Sequence, residues 1–300
     1  MRRLLGIAAI QMAGVPHDPQ ATLDKIESLV ANTCATVPWV DMLCLPELIL
    51  DPLVQFVYRN ETPQSAEPIP GPKTDRLCAL AARYRKWLIP GSMSECDGDT
   101  VYNTAVVISP QGEIVARYRK IFPWRPLEVC TPGETFCVFE IPGVGKIGLC
   151  ICYDMWFPEI ARTLAWMGAE VIIHPSLTAT SDREAEVVLA QANAIFNQCY
   201  FVDINGTGPY GGGRSSITDP HGYVLQIADQ HECILTAILD LDHVSHAREY
   251  GTRGLCQTWK LLRDVPMYFP PYVEGFAASP MVQTLGPLRN PQSLSDLVNK

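Results

Sequence analysis

The stretch KIGLCICYDMWFPEIAR, residues 146–162, contains an apolar run, an abrupt change in composition and a helix start. Residues 147–152 are typical of a buried strand, and YDMWFPE then breaks the pattern. Pro158 suits the first turn of a helix that begins near residue 157. The sequence therefore places Cys152 at the end of a strand and just before a helix, whereas Cys150 lies deeper in the strand.

The predicted position of Cys152 favours a nucleophile. A side chain at a strand end is exposed at the edge of the sheet, and the N–H groups of a following helix stabilise a thiolate. The alternative is a buried thiol, which we assign to Cys150. The chain has eleven cysteines and no C-x-x-C pair, so we interpret most of them as reduced, apolar side chains of a cytoplasmic protein.

The composition indicates a globular protein. Of its 300 residues, 47% are hydrophobic and 18% are charged. The formal net charge of -9 argues against a nucleic-acid or membrane partner, since phosphate binding requires a basic surface. No apolar run approaches the roughly 20 residues needed to span a bilayer. The first run, LLGIAAIQM, is predicted as a strand buried on both faces, because no clear signal-peptide cleavage site follows it.

The arrangement of strand and helix patterns predicts a layered α/β domain. Strand-like runs recur from 4–12 to 233–240, one of them at 87–94, and YVLQIADQHECILTAILDLD suggests a hairpin that turns near 229–231. Four helical patterns lie between the strands, at 18–35, 73–86, 157–168 and 181–198. We predict one domain over residues 1–263. Residues 264–300, rich in proline and aromatic side chains, are predicted to be an irregular arm on the body or on a neighbouring subunit.

A thiol nucleophile needs a base, and two residues are candidates. His174 ends the strand EVIIH and is predicted at the same sheet edge as Cys152, but Pro175 follows it and no orienting Asn or Asp is evident. Glu47 ends the apolar run in MLCLPEL. A carboxylate there is costly to bury unless it is paired or functional, although capping the next segment is an alternative.

Lys120 provides a candidate positive charge. It ends a further strand in ARYRKIFPWRPLE, where it could face a pocket and stabilise a developing oxyanion. A surface lysine is the alternative. Glu128 lies eight residues later and could hold Lys120 in position.

These three motifs together resemble the nitrilase superfamily of carbon–nitrogen hydrolases. LPEL, YRKIFPW and CICYDMWFPE are similar to the family's Glu–Lys–Cys motifs and occur in the family's order, and AAIQM, AIFNQCYFVDING and GRSSITDPHGYVL also agree. The resemblance covers about residues 4–250. It implies a four-layer α-β-β-α sandwich, no metal or organic cofactor, and a homo-oligomer that is a dimer or a multiple of dimers.

The resemblance also implies a role for each matched residue. Cys152 would attack a small amide, Glu47 would act as the base, and Lys120 and the Tyr153 N–H would bind the oxyanion. Glu128 would orient Lys120 and the amide nitrogen. We further predict four residues in the wall of the substrate pocket, namely Tyr153, Met155, Trp156 and His174.

The motifs resemble more than one substrate branch of the family. KIFPWRPLE is similar to the aliphatic amidase and formamidase branch, whereas CYDMWFPEIAR is closer to general amidases. Tyr153 and Asp154 stand where true nitrilases usually carry Trp-Glu. Met155 and Trp156 occupy the stretch in which branches that act on carboxylate-bearing substrates tend to carry an Arg, so a neutral amide is favoured. The alternatives are a nitrile or N-carbamoyl hydrolase with the same three residues, and a non-catalytic scaffold of the same fold.

Two further motifs do not indicate ligand sites. GTGPYG, residues 206–211, matches G-x-G-x-x-G, but no helical pattern follows to seat a pyrophosphate. HVSH, residues 243–246, lacks a third metal ligand nearby.

Overall fold

A computed structural model describes residues 2–51, 65–273, 275 and 279–285. The chain divides into two compact units, Met1–Ser245 and His246–Lys300. The predicted domain boundary after residue 263 lies within the second unit. None of the helices in the described ranges is long and apolar enough to cross a bilayer.

Strands dominate the first unit. Within the described residues they are β1 (Leu4–Gln11), β2 (Met42–Cys44), β3 (Trp87–Ile89), β4 (Ser92–Asp97), β5 (Thr100–Ile108), β6 (Ile114–Arg119), β7 (Cys137–Ile141), β8 (Gly145–Leu149), β9 (Val171–Ser176), β10 (Tyr200–Asn205), β11 (Ser216–Thr218), β12 (Val224–Ile227) and β13 (Cys233–Asp240). The predicted strand at 87–94 is wrong in one respect, because it is two strands separated by a turn at Gly91.

The helices of the described residues flank these strands or follow them. They are α1 (Pro19–Thr36), α2 (Pro72–Tyr84), α3 (Pro158–Trp166), α4 (Arg183–Asn197), α5 (Leu241–Tyr250), α6 (Thr258–Asp264), α7 (Pro270–Val273) and α8 (Pro280–Gln283). The first four confirm the predicted helices. Proline at the first position of α1, α2 and α3 fits the helix start, because that position needs no N–H donor.

The strands form two sheets. One has the order β13-β1-β2-β3-β5-β4, with β6 also paired to β5, and the other has the order β12-β11-β10-β9-β8-β7. Parallel pairing joins β1 to β2, β2 to β3, β8 to β9 and β9 to β10. The carboxyl ends of the parallel strands in each sheet therefore meet at one edge, where Glu47 and Cys152 follow their strands.

Three hydrophobic cores hold four layers together. The side chains of β1 alternate between two of these cores: Leu5 and Ile7 face the other sheet, whereas Ala8 and Ile10 face α1 and α2. A third core lies between the second sheet and helices α3 and α4, and it includes Phe201. The first unit is thus a four-layer α-β-β-α sandwich, as expected, and β1 is buried on both faces because both of its neighbouring layers are apolar.

The predicted hairpin near residues 229–231 is wrong. β12 pairs with β11 in one sheet, and β13 pairs with β1 in the other, so the chain crosses between sheets at this turn. The two strands are joined by a side chain instead of a backbone ladder. The amide of Gln226 donates to the carbonyl of Thr236 at 2.8 Å and accepts from its N–H at 3.2 Å. A sequence pattern of two adjacent strands did not reveal this crossing.

The second unit contains short helices. Helices α7 and α8 lie in the part of the tail for which no helical period was expected, and each is a single turn that begins at a proline. Such a turn is too short to produce an apolar period, which explains why the pattern missed it. The packing of this segment on the body or on another subunit remains a prediction.

Gly91 provides a test of how the segment before Glu47 is held. Its φ is +76°, and a Cβ at this position would lie 1.7 Å from the carbonyl oxygen of Pro46. Gly98 has a φ of +61°, but a Cβ there would meet no atom within 4 Å. The two glycines therefore separate the cost of the backbone conformation from the cost of the clash.

We expect Gly91→Ala to lower the free energy of unfolding by several kcal/mol. The positive φ alone costs about 1–2 kcal/mol for a residue with a Cβ, and displacement of packed backbone adds about 1–3 kcal/mol. Gly98→Ala is the matched control and should show the first cost only. Urea denaturation of both variants measures the difference, and equal losses would show that Pro46 is not tightly packed against Gly91.

Candidate active site

A buried ammonium group lies at the centre of the candidate site. Lys120 follows β6, and its Nζ is 2.9 Å from Oε1 of Glu47 and 2.8 Å from Oε2 of Glu128. All three side chains are at least 95% buried. Because a buried charge must be paired, the carboxylates hold the lysine side chain in one position.

Neutral donors complete the hydrogen bonding of both carboxylates. Asn103, on β5, donates from Nδ2 to Oε1 of Glu47 and to Oε1 of Glu128, each at 2.8 Å. The backbone N–H of Trp124 donates to Oε2 of Glu128 at 2.7 Å. The loop 121–128 is therefore folded back onto Lys120, and the two carboxylates are fixed relative to each other.

The charges of these groups stabilise one another. Burial acts to lower the pKa of Lys120, but Glu128 and Glu47 hold that pKa well above its ordinary value. Burial acts to raise the pKa of Glu128, but the charge and hydrogen bond of Lys120 keep that pKa below its ordinary value. At neutral pH the site therefore contains an ammonium group beside an ionised Glu128.

Cys152 lies at the first position of a 3₁₀ helix, Cys152–Trp156, which precedes α3. Its φ is +46°, a left-handed conformation that is uncommon outside glycine and is found at strained functional turns. The side chain is partly buried, and Sγ lies 3.7 Å from Oγ1 of Thr178. Thus the strand-to-helix position predicted for Cys152 is present, in a more tightly turned form than the sequence indicates.

The thiol is not stabilised as a thiolate in this position. Burial and the nearby charge of Glu47 raise the pKa of Cys152 well above its ordinary value, and the opposing charge of Lys120 does not compensate. This differs from the expectation that the following helix favours the thiolate, because the burial of Sγ outweighs the helix terminus. The thiol is therefore protonated at neutral pH, and deprotonation requires a base.

Asp154 connects the loop around Lys120 to the turn around Cys152. Oδ2 accepts from the hydroxyl of Tyr118 at 2.7 Å and from the N–H of Ile151 at 2.9 Å, while Oδ1 accepts from the N–H of Phe122 at 2.8 Å. Burial raises the pKa of Asp154 to about 6, so the group is mainly ionised at neutral pH. One carboxylate therefore fixes the residues on both sides of Lys120 and the residue before Cys152.

His174 is oriented toward the backbone of Cys152 and not toward its thiol. Nε2 is 2.9 Å from the Cys152 carbonyl oxygen, and Nδ1 is 2.8 Å from Oδ1 of Asp203. Burial acts to lower the pKa of His174, but its hydrogen bond to Asp203 and the charge of that group raise it. Since both ring nitrogens face oxygen acceptors, His174 is unsuited to accept a proton from the thiol. Asp203 orients the ring, a partner that the sequence did not reveal.

A network of buried charges continues from Asp203 back to the thiol. Nη2 of Arg183 is 2.5 Å from Oδ2 of Asp203, and Nη1 is 3.1 Å from Oε2 of Glu186. Oε1 of Glu186 accepts from Oγ1 of Thr178 at 3.0 Å. Cys152 therefore contacts both ends of this network. His174 bonds its carbonyl oxygen, and Thr178 contacts its Sγ.

A cavity of about 250 Å³ opens beside Cys152. Its walls combine aromatic, hydroxyl and carboxylate side chains with small apolar ones, contributed by Trp124, Cys152, Tyr153, Trp156, Leu177, Thr178, Ala179, Thr180, Asp182 and Glu186. A cavity of this size accommodates a small organic molecule.

The predicted pocket residues separate into two pairs. Tyr153 and Trp156 line the cavity, and their contact with substrate remains a prediction. Met155 and His174 do not: Met155 is 2% exposed and packs in the core beneath α3 and α4, and His174 is fully buried in the network below the turn. A 3₁₀ helix has three residues per turn, so Tyr153 and Trp156 share one face and Met155 lies on another. A continuous stretch of sequence was therefore a poor guide to the cavity wall.

Several residues of the site were not identified from the sequence. Asn103 gives one weak signal, since it is an amide within the apolar run VYNTAVVI. Glu186 cannot be distinguished in the sequence from a polar residue on the solvent side of a helix. Trp124, Thr178 and Asp182 have no sequence signal of their own. The glycine-rich loop at 206–211 contains only a 3₁₀ turn, Gly208–Tyr210. In the described part of the chain, no group of three or more potential ligands is arranged to hold a metal ion.

The chain is similar to known proteins of one family. The family model described as carbon–nitrogen hydrolase matches residues 6–249. An omega-amidase from Xenopus tropicalis is 32% identical over 224 residues, which cover 69% of this chain and 79% of the relative. A nitrilase from Pyrococcus abyssi is 34% identical over 241 residues, covering 76% of this chain and 87% of the relative.

One solved structure with the same fold contains a covalent adduct. It is a mutant of the amidase from Nesterenkonia sp. AN1 with the acetamide moiety of fluoroacetamide covalently added at the active-site cysteine. The match has a TM-score of 0.71 and 25% sequence identity, and it covers 83% of this chain and 94% of the amidase chain.

We expect Asp154→Asn to lower the free energy of unfolding by about 1–3 kcal/mol. Both oxygens of Asp154 accept hydrogen bonds, so the amide nitrogen of Asn would face one of these donors and leave it without an acceptor. Tyr118→Phe removes one of the three hydrogen bonds but keeps the carboxylate, so it should cost only about 1 kcal/mol. Urea denaturation at neutral pH measures both values. Equal losses in the two variants would contradict the inference that the two backbone amides are held by this group.

Proposed function

Since the chain belongs to the carbon–nitrogen hydrolase family, and is a hydrolase of the amidase type within the nitrilase superfamily, we propose that it cleaves small amides through a thioester on Cys152. The observation that carries this proposal is the buried contact of Lys120 with Glu47 and Glu128 beside a cavity that contains Cys152. This arrangement combines a nucleophile, a carboxylate base and a fixed positive charge.

In the proposed first step, Glu47 accepts the proton of the Cys152 thiol as Sγ bonds to the amide carbon. The high pKa of the thiol supports a base-assisted attack, because a free thiolate is not present beforehand. The carbonyl oxygen becomes an oxyanion, for which Lys120 and the N–H of Tyr153 are the proposed donors. Glu128 keeps the ammonium group of Lys120 in place.

In the second step, the protonated Glu47 gives its proton to the leaving nitrogen, the C–N bond breaks, and ammonia departs. A thioester remains on Cys152. Glu47 then removes a proton from water as the water oxygen attacks the thioester carbon. Collapse of this intermediate breaks the C–S bond, releases the carboxylic acid and returns the proton to Sγ.

We expect Cys152→Ala to lower amide turnover by about 10⁴-fold or more, because loss of a nucleophile removes the covalent route. Ammonia release from butanamide measures this loss, and a mass increase on the Cys152 peptide with a slow substrate would report the thioester. Cys150→Ala is the matched control: Cys150 is fully buried in the core and should be dispensable for turnover. Full activity in Cys152→Ala would disprove the mechanism.

A nitrile hydrolase is the second candidate, favoured by the similarity to the archaeal nitrilase. Nitrile attack would use the same thiol but would consume two water molecules to reach the acid and ammonia. An N-carbamoyl substrate is a further alternative with the same residues. Parallel assays of ammonia release from butanamide, butanenitrile and an N-carbamoyl amino acid distinguish these functions.

The proposed assembly is a homo-oligomer in which α4 contacts a second copy of the chain. The buried side of α4 includes Val187 and Ala190, yet its outer side exposes Val188 by 63% and Phe196 by 60%. Large apolar side chains grouped on one helix face are typical of a protein interface. A cytoplasmic location also remains a prediction.

We expect Val188→Glu and Phe196→Glu to shift the protein toward a monomer, because each places a charge in an apolar interface. Sedimentation equilibrium of the unmodified protein should give a dimer or a multiple of dimers. Val115→Glu, at an exposed position of β6, is the control and should leave the mass unchanged. A monomeric mass for the unmodified protein would contradict the proposal.

A further inference from the structure

The cavity beside Cys152 presents acidic and aromatic groups to a ligand. Glu186 and Asp182 supply its charged atoms, and Trp124, Tyr153 and Trp156 supply aromatic surface. No lysine or arginine is among the described residues that line it. Away from the carbonyl oxygen that Lys120 would bind, a ligand in this cavity therefore meets hydroxyl groups, carboxylates and aromatic rings, and the last two recognise an ammonium ion.

Glu186 lines the cavity although it is 2% exposed, and its carboxylate is paired with Arg183. Its partner Arg183 is 3% exposed and does not line the cavity, and that guanidinium also serves Asp203 at 2.5 Å. Burial raises the pKa of Glu186, Arg183 opposes this, and the charge of Asp203 adds to it. A cation in the cavity would therefore add to the contact with Arg183 in stabilising the ionised form of Glu186.

Glu186 is close enough to the nucleophile to contact the acyl part of a substrate. Its Oε1 is 3.0 Å from Oγ1 of Thr178, and that hydroxyl is 3.7 Å from Sγ of Cys152. The indole nitrogen of Trp156 donates to the same Oε1 at 3.3 Å. Only one hydroxyl group separates the thiol from the carboxylate, so a cation two or three bonds from the substrate carbonyl would come within reach of Glu186.

We propose that the amide substrate carries an ammonium group close to its carbonyl and that Glu186, with Asp182 at the rim, binds this group against the aromatic wall. This inference rests on the proposed amidase function. It narrows the substrate from a small amide to a short aminoacyl amide, in place of the neutral amide favoured by the sequence. A carboxylate at the same place would face Glu186 without a lining cation to pair with, so carboxylate-bearing amides are disfavoured.

Three amides of matched length test the proposal. β-Alaninamide, butanamide and succinamate carry an ammonium, a methyl and a carboxylate group at the same distance from the amide. With the purified full chain at neutral pH, we expect kcat/KM for β-alaninamide to exceed that for butanamide by about tenfold or more, with succinamate lowest. Equal or better turnover of butanamide would overturn the proposal and leave the proposed amidase function intact.

Variants then test whether the preference for β-alaninamide depends on the carboxylate of Glu186. Glu186→Gln should reduce the ratio of kcat/KM for β-alaninamide to that for butanamide by about tenfold. Glu184→Gln is the matched control, because Glu184 lies on the same helix but is exposed and paired with Arg214 at 2.5 Å; its ratio should not change. An equal loss for both substrates in Glu186→Gln would assign Glu186 to support of the thiol and overturn its role in recognition.

Binding separates failure of recognition from failure of catalysis. In Cys152→Ala, calorimetry should give the same order, with β-alaninamide bound more tightly than butanamide and succinamate. If none of the three amides is hydrolysed, the proposed function is wrong. The order of binding affinities would still show whether the cavity prefers an ammonium group. Equal binding of β-alaninamide and butanamide would overturn the proposal.

Discussion

The buried ammonium group of Lys120 is the charge around which the candidate site is arranged. A cation removed from water at this depth requires partners, and Glu47 and Glu128 provide them at 2.9 and 2.8 Å. The two carboxylates belong to segments that follow β2 and β6, so the pair can form only when these parts of one sheet have assembled. The cost of desolvating three charges thus links the fold of this sheet directly to the geometry beside Cys152.

Two carboxylates on one ammonium group leave an excess of negative charge. The surrounding hydrogen-bond donors stabilise this excess. Asn103 and the N–H of Trp124 stabilise the carboxylates without adding charge. Burial keeps the Cys152 thiol protonated by raising its pKa, and the charge of Glu47 adds to this effect. In the proposed mechanism a nucleophile therefore forms only when a carbonyl carbon is present to accept it, which limits side reactions of the free thiol.

Local patterns predicted the parts of the fold that depend on neighbouring residues. The helices of the first unit and the burial of β1 on both faces follow from periodicity, and the positions of Glu47, Lys120 and Cys152 follow from strand ends together with the family resemblance. Contacts between distant segments could not be predicted in this way. The crossing between β12 and β13, the role of Asp203 beneath His174 and the cavity position of Glu186 each depend on which strand or helix lies beside another. Met155 shows the same limit, because one residue's difference in a 3₁₀ turn decides between core and cavity.

The network beneath Cys152 explains why the polarity of the cavity differs from that expected for a neutral amide. His174 and Arg183 are both turned inward, toward the carbonyl of Cys152 and toward Asp203, where they stabilise the strained turn and the end of β10. Because His174 and Arg183 bond below the turn and do not line the cavity, the polar residues of its wall next to Cys152 include Thr178 and Glu186. The same interactions that hold Cys152 in its left-handed conformation therefore leave carboxylates and no lining lysine or arginine among the described residues of the cavity wall, and the proposed substrate preference would be a consequence of how the turn is supported.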